Sequence, residues 1–211
     1  MKENHTLQKR AALRVLRVEL AIFVGVAIAL IYTALSAIRD QQLLAGQVLR
    51  LHVVAQSDSA EDQALKLMVR DRLLAMCADV PETVGTAAEA RAWTEAQLPV
   101  ICAAAEAVLA EQGCPHTVRA EITEEAFPTR SYGTFALPAG NYTALKVTIG
   151  EGKGQNWWCV MFPPLCTAAA AEREAAAVFT DGQWHTITAQ TPDVAIRFRI
   201  LEWWQALKSL F

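Results

Sequence analysis

Between Leu20 and Ile38 the chain carries no charged side chain, and this run, LAIFVGVAIALIYTALSAI, constrains everything around it. As a helix rising ~1.5 Å per residue it spans roughly 28 Å, close to the hydrocarbon thickness of a bilayer. Lys2, Lys9, Arg10, Arg14 and Arg17 precede it, whereas only Arg39 and Arg50 follow closely. Basic flanks stay on the cytoplasmic side. Residues 1–19 therefore read as a cytoplasmic basic leader, 20–38 as a transmembrane or signal segment, and the remainder as exported. A buried core helix would have no use for that flank. Ala34 and Ser36 have the small-x-small form read by signal peptidase, which favours cleavage. The apolar run exceeds the usual signal core, which favours a retained anchor. Both fates stay open.

Of the 211 residues, 53% are hydrophobic and 19% charged, enough for one packed domain and too apolar for disorder. Residues 1–40 hold six Lys/Arg against three Asp/Glu, and the rest hold thirteen against nineteen. An acidic domain behind a basic leader disfavours nucleic acid, whose phosphates need a basic surface.

In the exported part, Val48–Ala55 is rich in β-formers and reads as a first strand. Ser59 with Asp62, or Asp58 with Glu61, then opens a helix over residues 60–79, with Leu65, Met68, Val69, Leu73 and Met76 as its apolar stripe. Residues 83–112 predict a second helix, kinked or broken at Pro99 and stopped by Gly113. Val118–Thr123 alternates with period two, and Ser131–Leu137, Tyr142–Ile149 and Asn156–Phe162 read as further strands. The glycines of Gly150–Gly154 suit a tight hairpin between the last two. Residues 167–177 favour helix by propensity alone, and a helix with a bulky edge at Trp203, Trp204 and Phe211 is expected from about residue 194. The pattern predicts an α+β fold: an N-terminal transmembrane or signal helix, two helices packed on a mainly antiparallel sheet, and a C-terminal amphipathic helix. That last helix either packs back on the sheet or docks on a partner or membrane surface.

Motifs for chemistry are weak. His5, His52, His116 and His185 are isolated, and the chain has no HExxH, paired CxxC or GxSxG, so no metal, cofactor or small-molecule substrate is expected. Asp58, Glu61 and Asp62 suit a helix N-terminus better than a cation site. Gly150–Gln155 lacks phosphate-loop spacing and a following helix. The enzyme alternative is an extracytoplasmic cysteine hydrolase using Cys159, with His52 or His116 as base and Gln155 as oxyanion donor. A wall-associated structural protein is a further alternative. Of five cysteines (Cys77, Cys102, Cys114, Cys159, Cys166), Cys159 and Cys166 bracket Pro163–Pro164, where a chain reversal would bring them within disulfide reach; otherwise both are small buried hydrophobes.

Two stretches carry a resemblance. LHVVAQSDSAEDQALKLMVRD (Leu51–Asp71) and YGTFALPAGNYTALKVTIGEGKGQNWWCVMFPPLC (Tyr132–Cys166) closely resemble the stage II sporulation protein R family of endospore-forming bacteria, and GEGKGQNWWCVMFPPLC is the most specific part. The resemblance covers roughly residues 45–166, which it marks as an exported sporulation-signalling domain; residues 167–211 form an alanine-rich linker and a C-terminal amphipathic segment that match loosely. It implies a protein exported across the forespore membrane into the intermembrane space, anchored there or released by cleavage. There it would activate a membrane-embedded aspartic-type protease, stage II sporulation protein GA, leading to processing of the sigma-E precursor in the mother cell. On that reading the chain is an activator and not an enzyme. Its candidate partner-binding residues are Gly150, Gly152, Lys153 and Gly154 of the turn with neighbouring Trp157 and Trp158.

Overall fold

The computed structural model describes residues 2–77, 81, 83–132, 135–164, 179–188 and 192–208. One helix, α1 (Lys2–Ala45), carries the whole apolar run. From Arg14 to Ala45 it is long and apolar enough to cross a membrane. Phe23 and Tyr32 leave 72% and 75% of their surface uncovered, as side chains destined for lipid would. The helix then changes character. Ala37, Gln41 and Leu44 are buried, and their spacing of four and three turns one helical face into the domain.

Three residues later β1 (Leu49–Val54) begins, and every one of its positions is buried. Such a strand must be central, because an edge strand or a half-solvated one leaves alternate residues wet. It lies between β5 (Gly140–Ile149), to which it is parallel, and β6 (Asn156–Phe162), to which it is antiparallel. The ten-residue β2 (Val118–Phe127) pairs antiparallel with β5, giving the order β2-β5-β1-β6. The sheet is thus mainly antiparallel within an α+β fold. β3 (Arg130–Ser131) and β4 (Ala136–Leu137) form a separate two-stranded pair where the sequence suggested one longer strand.

The parallel β1–β5 pair requires a crossover, and the helices supply it. α2 (Ala60–Cys77) starts at Ser59, whose Oγ accepts from the Asp62 N–H at 3.1 Å. It buries Leu65, Val69 and Leu73, whereas Met68 is exposed. The expected helix over 83–112 is two: α3 (Ala87–Ala96), opened by a Thr86/Glu89 capping box, and α4 (Leu98–Glu111), with Pro99 in its first turn where a missing N–H costs nothing. Ile101, Ala105 and Leu109 of α4 join Leu49, Leu51, Val53, Leu145, Val147, Ile149, Cys159 and Met161 in the main core. The opposite face of the sheet has a smaller core of Leu44, Val48, Phe127, Phe135, Leu137, Tyr142 and Val160. It is closed by α5 (Asp181–Thr188) through Ile187. The last described helix, α6 (Pro192–Lys208), stands where a C-terminal helix is expected from about residue 194. The helix expected over 167–177 lies outside the described residues.

The Gly150–Gly154 segment is not a hairpin, because β1 sits between β5 and β6. It steps over the end of β1 to join two strands that never touch. Leu51 lies at the centre of the main core with none of its surface exposed. Leu51→Ala should therefore cost about 2–5 kcal/mol, read as a lower midpoint of urea unfolding. An unchanged midpoint would remove Leu51 from the core.

Candidate functional site

β1 and β5 both start near the end of α1, where the Gln41 side chain lies against Gly140. Both strands run away from it, so their far ends, with the Gly150–Gly154 turn, lie at the opposite end of the sheet. Six residues of strand amount to about 20 Å.

That turn is held from below by the segment after β1. The Glu151 N–H donates to Gln56 Oε1 at 2.5 Å, the Lys153 N–H to the Gln56 carbonyl at 3.1 Å, and the Gly154 N–H to the Ala55 carbonyl at 2.9 Å. The Gln155 N–H reaches Asp58 Oδ1 at 2.7 Å, and the Gln155 carbonyl accepts from Lys66 Nζ at 3.0 Å. Burial holds the Lys66 ammonium below its ordinary pKa, an effect opposed by Asp58. Gly150 and Gly152 adopt φ of 57° and 63°, a conformation only glycine takes at no cost. A Cβ on Gly154 would stand 2.3 Å from the Ser57 carbonyl oxygen, so that position admits only hydrogen. At the tip Lys153 is three-quarters exposed and pairs with Glu151 at 2.6 Å. A turn with this many backbone anchors presents its lysine in one place.

Trp157 and Trp158 do not extend that tip as one surface. Neighbouring strand residues face opposite sides of a sheet. Trp157 packs on the main core with the Arg70 guanidinium 4.3 Å from its ring centre. Trp158 packs on the other face, stacked on His52 at 5.8 Å and covered by Arg130 at 4.2 Å. Both are half-buried, and each has an arginine over its ring.

On the Trp158 face runs a polar ladder that takes one residue from each of the four strands. Lys146 Nζ donates to Glu125 Oε1 at 2.5 Å, His52 Nδ1 lies 2.5 Å from Glu125 Oε2, and His52 Nε2 lies 2.8 Å from Asn156 Oδ1. Burial pushes the Glu125 carboxyl upward, but the bonds from Lys146 and His52 outweigh it and hold the group below the usual carboxylate range. Beside the ladder Arg50 is wholly buried. Its Nε donates to the Cys159 carbonyl at 3.1 Å, its Nη2 donates to the Tyr132 hydroxyl, and its guanidinium lies 4.2 Å from the Phe127 ring centre and 4.9 Å from that of Tyr142. Burial lowers the Arg50 pKa, an effect opposed by Tyr132 and Tyr142. Burial also pushes the Tyr142 phenol up to about 12. In the sequence His52 stands only as a partner for Cys159, and Arg50, Glu125, Lys146 and Asn156 are not singled out. The signal available was a charged residue at alternate positions of otherwise apolar strands.

The cysteine–histidine pair of the enzyme alternative does not form. Leu51 is the register partner of Cys159, whereas His52 pairs with Trp158, so imidazole and thiol lie on opposite faces. His116 instead sits 3.7 Å from Asp62. Cys159 is buried and disulfide-bonded, which leaves no thiolate to attack. Cys166 lies outside the described residues. Cys102 and Cys114 are free.

An α+β domain carried on a long apolar N-terminal helix is compatible with a signal or membrane anchor. The stage II sporulation protein R family matches residues 45–172, from the last residue of α1 past the end of β6. The chain is also 35% identical over 143 residues to stage II sporulation protein R of Bacillus subtilis (strain 168). That alignment covers 68% of this chain and 64% of the relative, so the chain spans somewhat under two thirds of that protein's length. No solved structure matches. This chain belongs to the stage II sporulation protein R family.

The ladder yields a pH dependence with a definite sign. Because the folded Glu125 pKa is depressed, its stabilisation is full above the ordinary carboxylate value of 4.5 and is lost as pH falls through the folded value. Glu125→Gln should be less stable than the parent at neutral pH, with the gap closing in acid. Urea midpoints measured across that range check it, and a constant gap would contradict the ladder's charge.

Proposed function

We propose that this protein is an exported signalling protein of endospore formation that activates a membrane-embedded aspartic-type protease and so leads to processing of the sigma-E precursor in the mother cell. The observation that carries the reading is membership of the stage II sporulation protein R family over the folded domain. The fold is compatible with it in two respects. The apolar run of α1 supplies a route across the forespore membrane. The anchored turn bearing Lys153 stands at the end of the sheet remote from α1, where a domain held at one membrane meets a partner across the gap.

The mechanism is differential binding. A domain that binds the protease's active state better than its resting state shifts the population toward activity without doing chemistry itself. A preference of ~100-fold, about 2.7 kcal/mol, is enough to raise a rare active state substantially. The contact surface on this reading is the turn Gly150–Gly154 with Lys153 at its tip. Trp157 and Trp158 flank it from the two faces and act by holding β6 in place. The cysteine-hydrolase reading loses support from the buried, disulfide-bonded Cys159.

Co-expression of the chain with the protease and the sigma precursor tests the function. Cleavage of the precursor should require both the chain and the protease, and cleavage that ignores the chain refutes the reading. Lys153→Glu tests the surface. Its side chain is exposed, so folding should survive, while activation should fall by about tenfold or more, the loss expected of an interface anchor. Full activation by Lys153→Glu would move the contact elsewhere.

A further inference from the structure

Ala34 and Ser36 read in the sequence as a signal-peptidase site with its cut before Ala37. In the structure they lie within α1, which runs unbroken from Lys2 to Ala45. Ala37, the residue that a cut would leave at the new N-terminus, is 2% exposed, and Gln41 and Leu44 are buried with it. Positions 34, 37, 41 and 44 follow at intervals of three, four and three, so Ala34 continues the buried face of the helix. Further along that face, Ala37, Gln41 and Leu44 line a crevice closed by Thr186 of α5 and Leu201 of α6. Ala34 and Ser36 are themselves half-buried, whereas Leu35 between them is 62% exposed. Small residues let a helix approach its neighbours closely, which accounts for Ala34 and Ala37 without any peptidase.

The peptidase meets the segment before the domain has folded, so the segment's own conformation decides the outcome. A protease takes its substrate as an extended strand, and a helical site must open first. Nothing local favours opening. Between Gly25 and Gly46 there is neither glycine nor proline, and residues 34–45 are mostly Ala, Leu, Gln and Arg, all strong helix formers. The Thr33 hydroxyl donates to the Ala29 carbonyl at 2.8 Å, a bond available only while this turn stays helical. The site also lies inside the uncharged run, which ends at Ile38, whereas a signal sequence places its cut beyond the apolar core. In hydrocarbon the backbone has no partner but its own helix.

We propose that α1 is a permanent anchor: its helix carries through Ala34–Ser36 and withholds that site from signal peptidase, so the domain stays on the membrane that exported it. This goes beyond activation of a protease and needs only that the domain is exported. Its consequence for the proposed function is range. A tethered domain is confined to a thin layer over one membrane, which raises its effective concentration before a partner in a facing membrane. Partners further away are out of reach. Signalling of this kind works by contact between apposed membranes and not by diffusion.

The full chain with a C-terminal affinity tag, expressed in an endospore-forming host, tests this by intact mass and N-terminal sequencing. Wild type should stay in the membrane fraction with α1 attached, released by detergent and not by alkaline carbonate. Ile31→Pro breaks the helix just ahead of the site; the position is 60% exposed and upstream of the buried face, so the domain should still fold. This variant should be cut before Ala37 faster by on the order of 100-fold, the weight of a proline inside a helix. Its cleavage also shows that the chain reaches the peptidase. Ile31→Ala, which keeps the helix, should remain uncut. Wild-type protein beginning at Ala37 would overturn the proposal, as would Ile31→Pro cut no faster than wild type or Ile31→Ala cut as fast as Ile31→Pro. None of these readouts involves the protease or the sigma precursor, so a failure of the activation reading shows separately.

Discussion

β1 is buried on both faces, yet two of its six residues, Arg50 and His52, carry polar heads that water would otherwise solvate. Such groups are expensive to bury unless they are bonded, so the structure around β1 is arranged to meet them. His52 reaches Glu125 of β2 and Asn156 of β6, and Glu125 is met in turn by Lys146 of β5. One polar chain thereby ties all four strands at one level and penalises a register slip, which would strand buried charge. Arg50 is met differently, by the Cys159 carbonyl, the Tyr132 hydroxyl and a cage of aromatic rings. The aromatic residues of the smaller core thus cover the sheet and also stabilise a cation within it.

The parts of this fold that were legible in the sequence were local ones. The periodicity of Leu65, Val69 and Leu73 fixed α2, and Pro99 marked the division between α3 and α4. What stayed hidden depended on pairing between distant residues. Gly150–Gly154 has the length and glycine content of a hairpin, and nothing local reveals that a strand laid down a hundred residues earlier is inserted between its arms. The alternation read from sequence ends at Thr123 because Glu124 stands where an apolar residue is due, yet the strand continues to Phe127. Glu125 keeps the polar phase of the alternation, and there it faces His52. Met68 fits the apolar stripe of α2 by spacing but is exposed. The candidate site was legible in the same uneven way. The turn and Lys153 are identifiable, and strand alternation already sets Trp157 and Trp158 on opposite faces; that both are covered, by Arg70 and Arg130, follows only from the fold.

The domain has two distinct ends because of how α1 enters it. Gly46 to Val48 are the only residues between the helix and β1, too few to act as a flexible tether, and Leu44 and Val48 are both part of the smaller core. Helix and sheet are therefore mechanically continuous. An orientation set by α1 is carried to the Lys153 turn through β1 and β5, two parallel strands joined along their length. On the proposed reading such stiffness helps, since a contact presented at a fixed distance and angle loses less freedom on binding than one on a loose tether. The glycines follow from the same requirement: Gly154 lets the turn close directly onto the Ser57 carbonyl, so the tip adds little play to the strands beneath it.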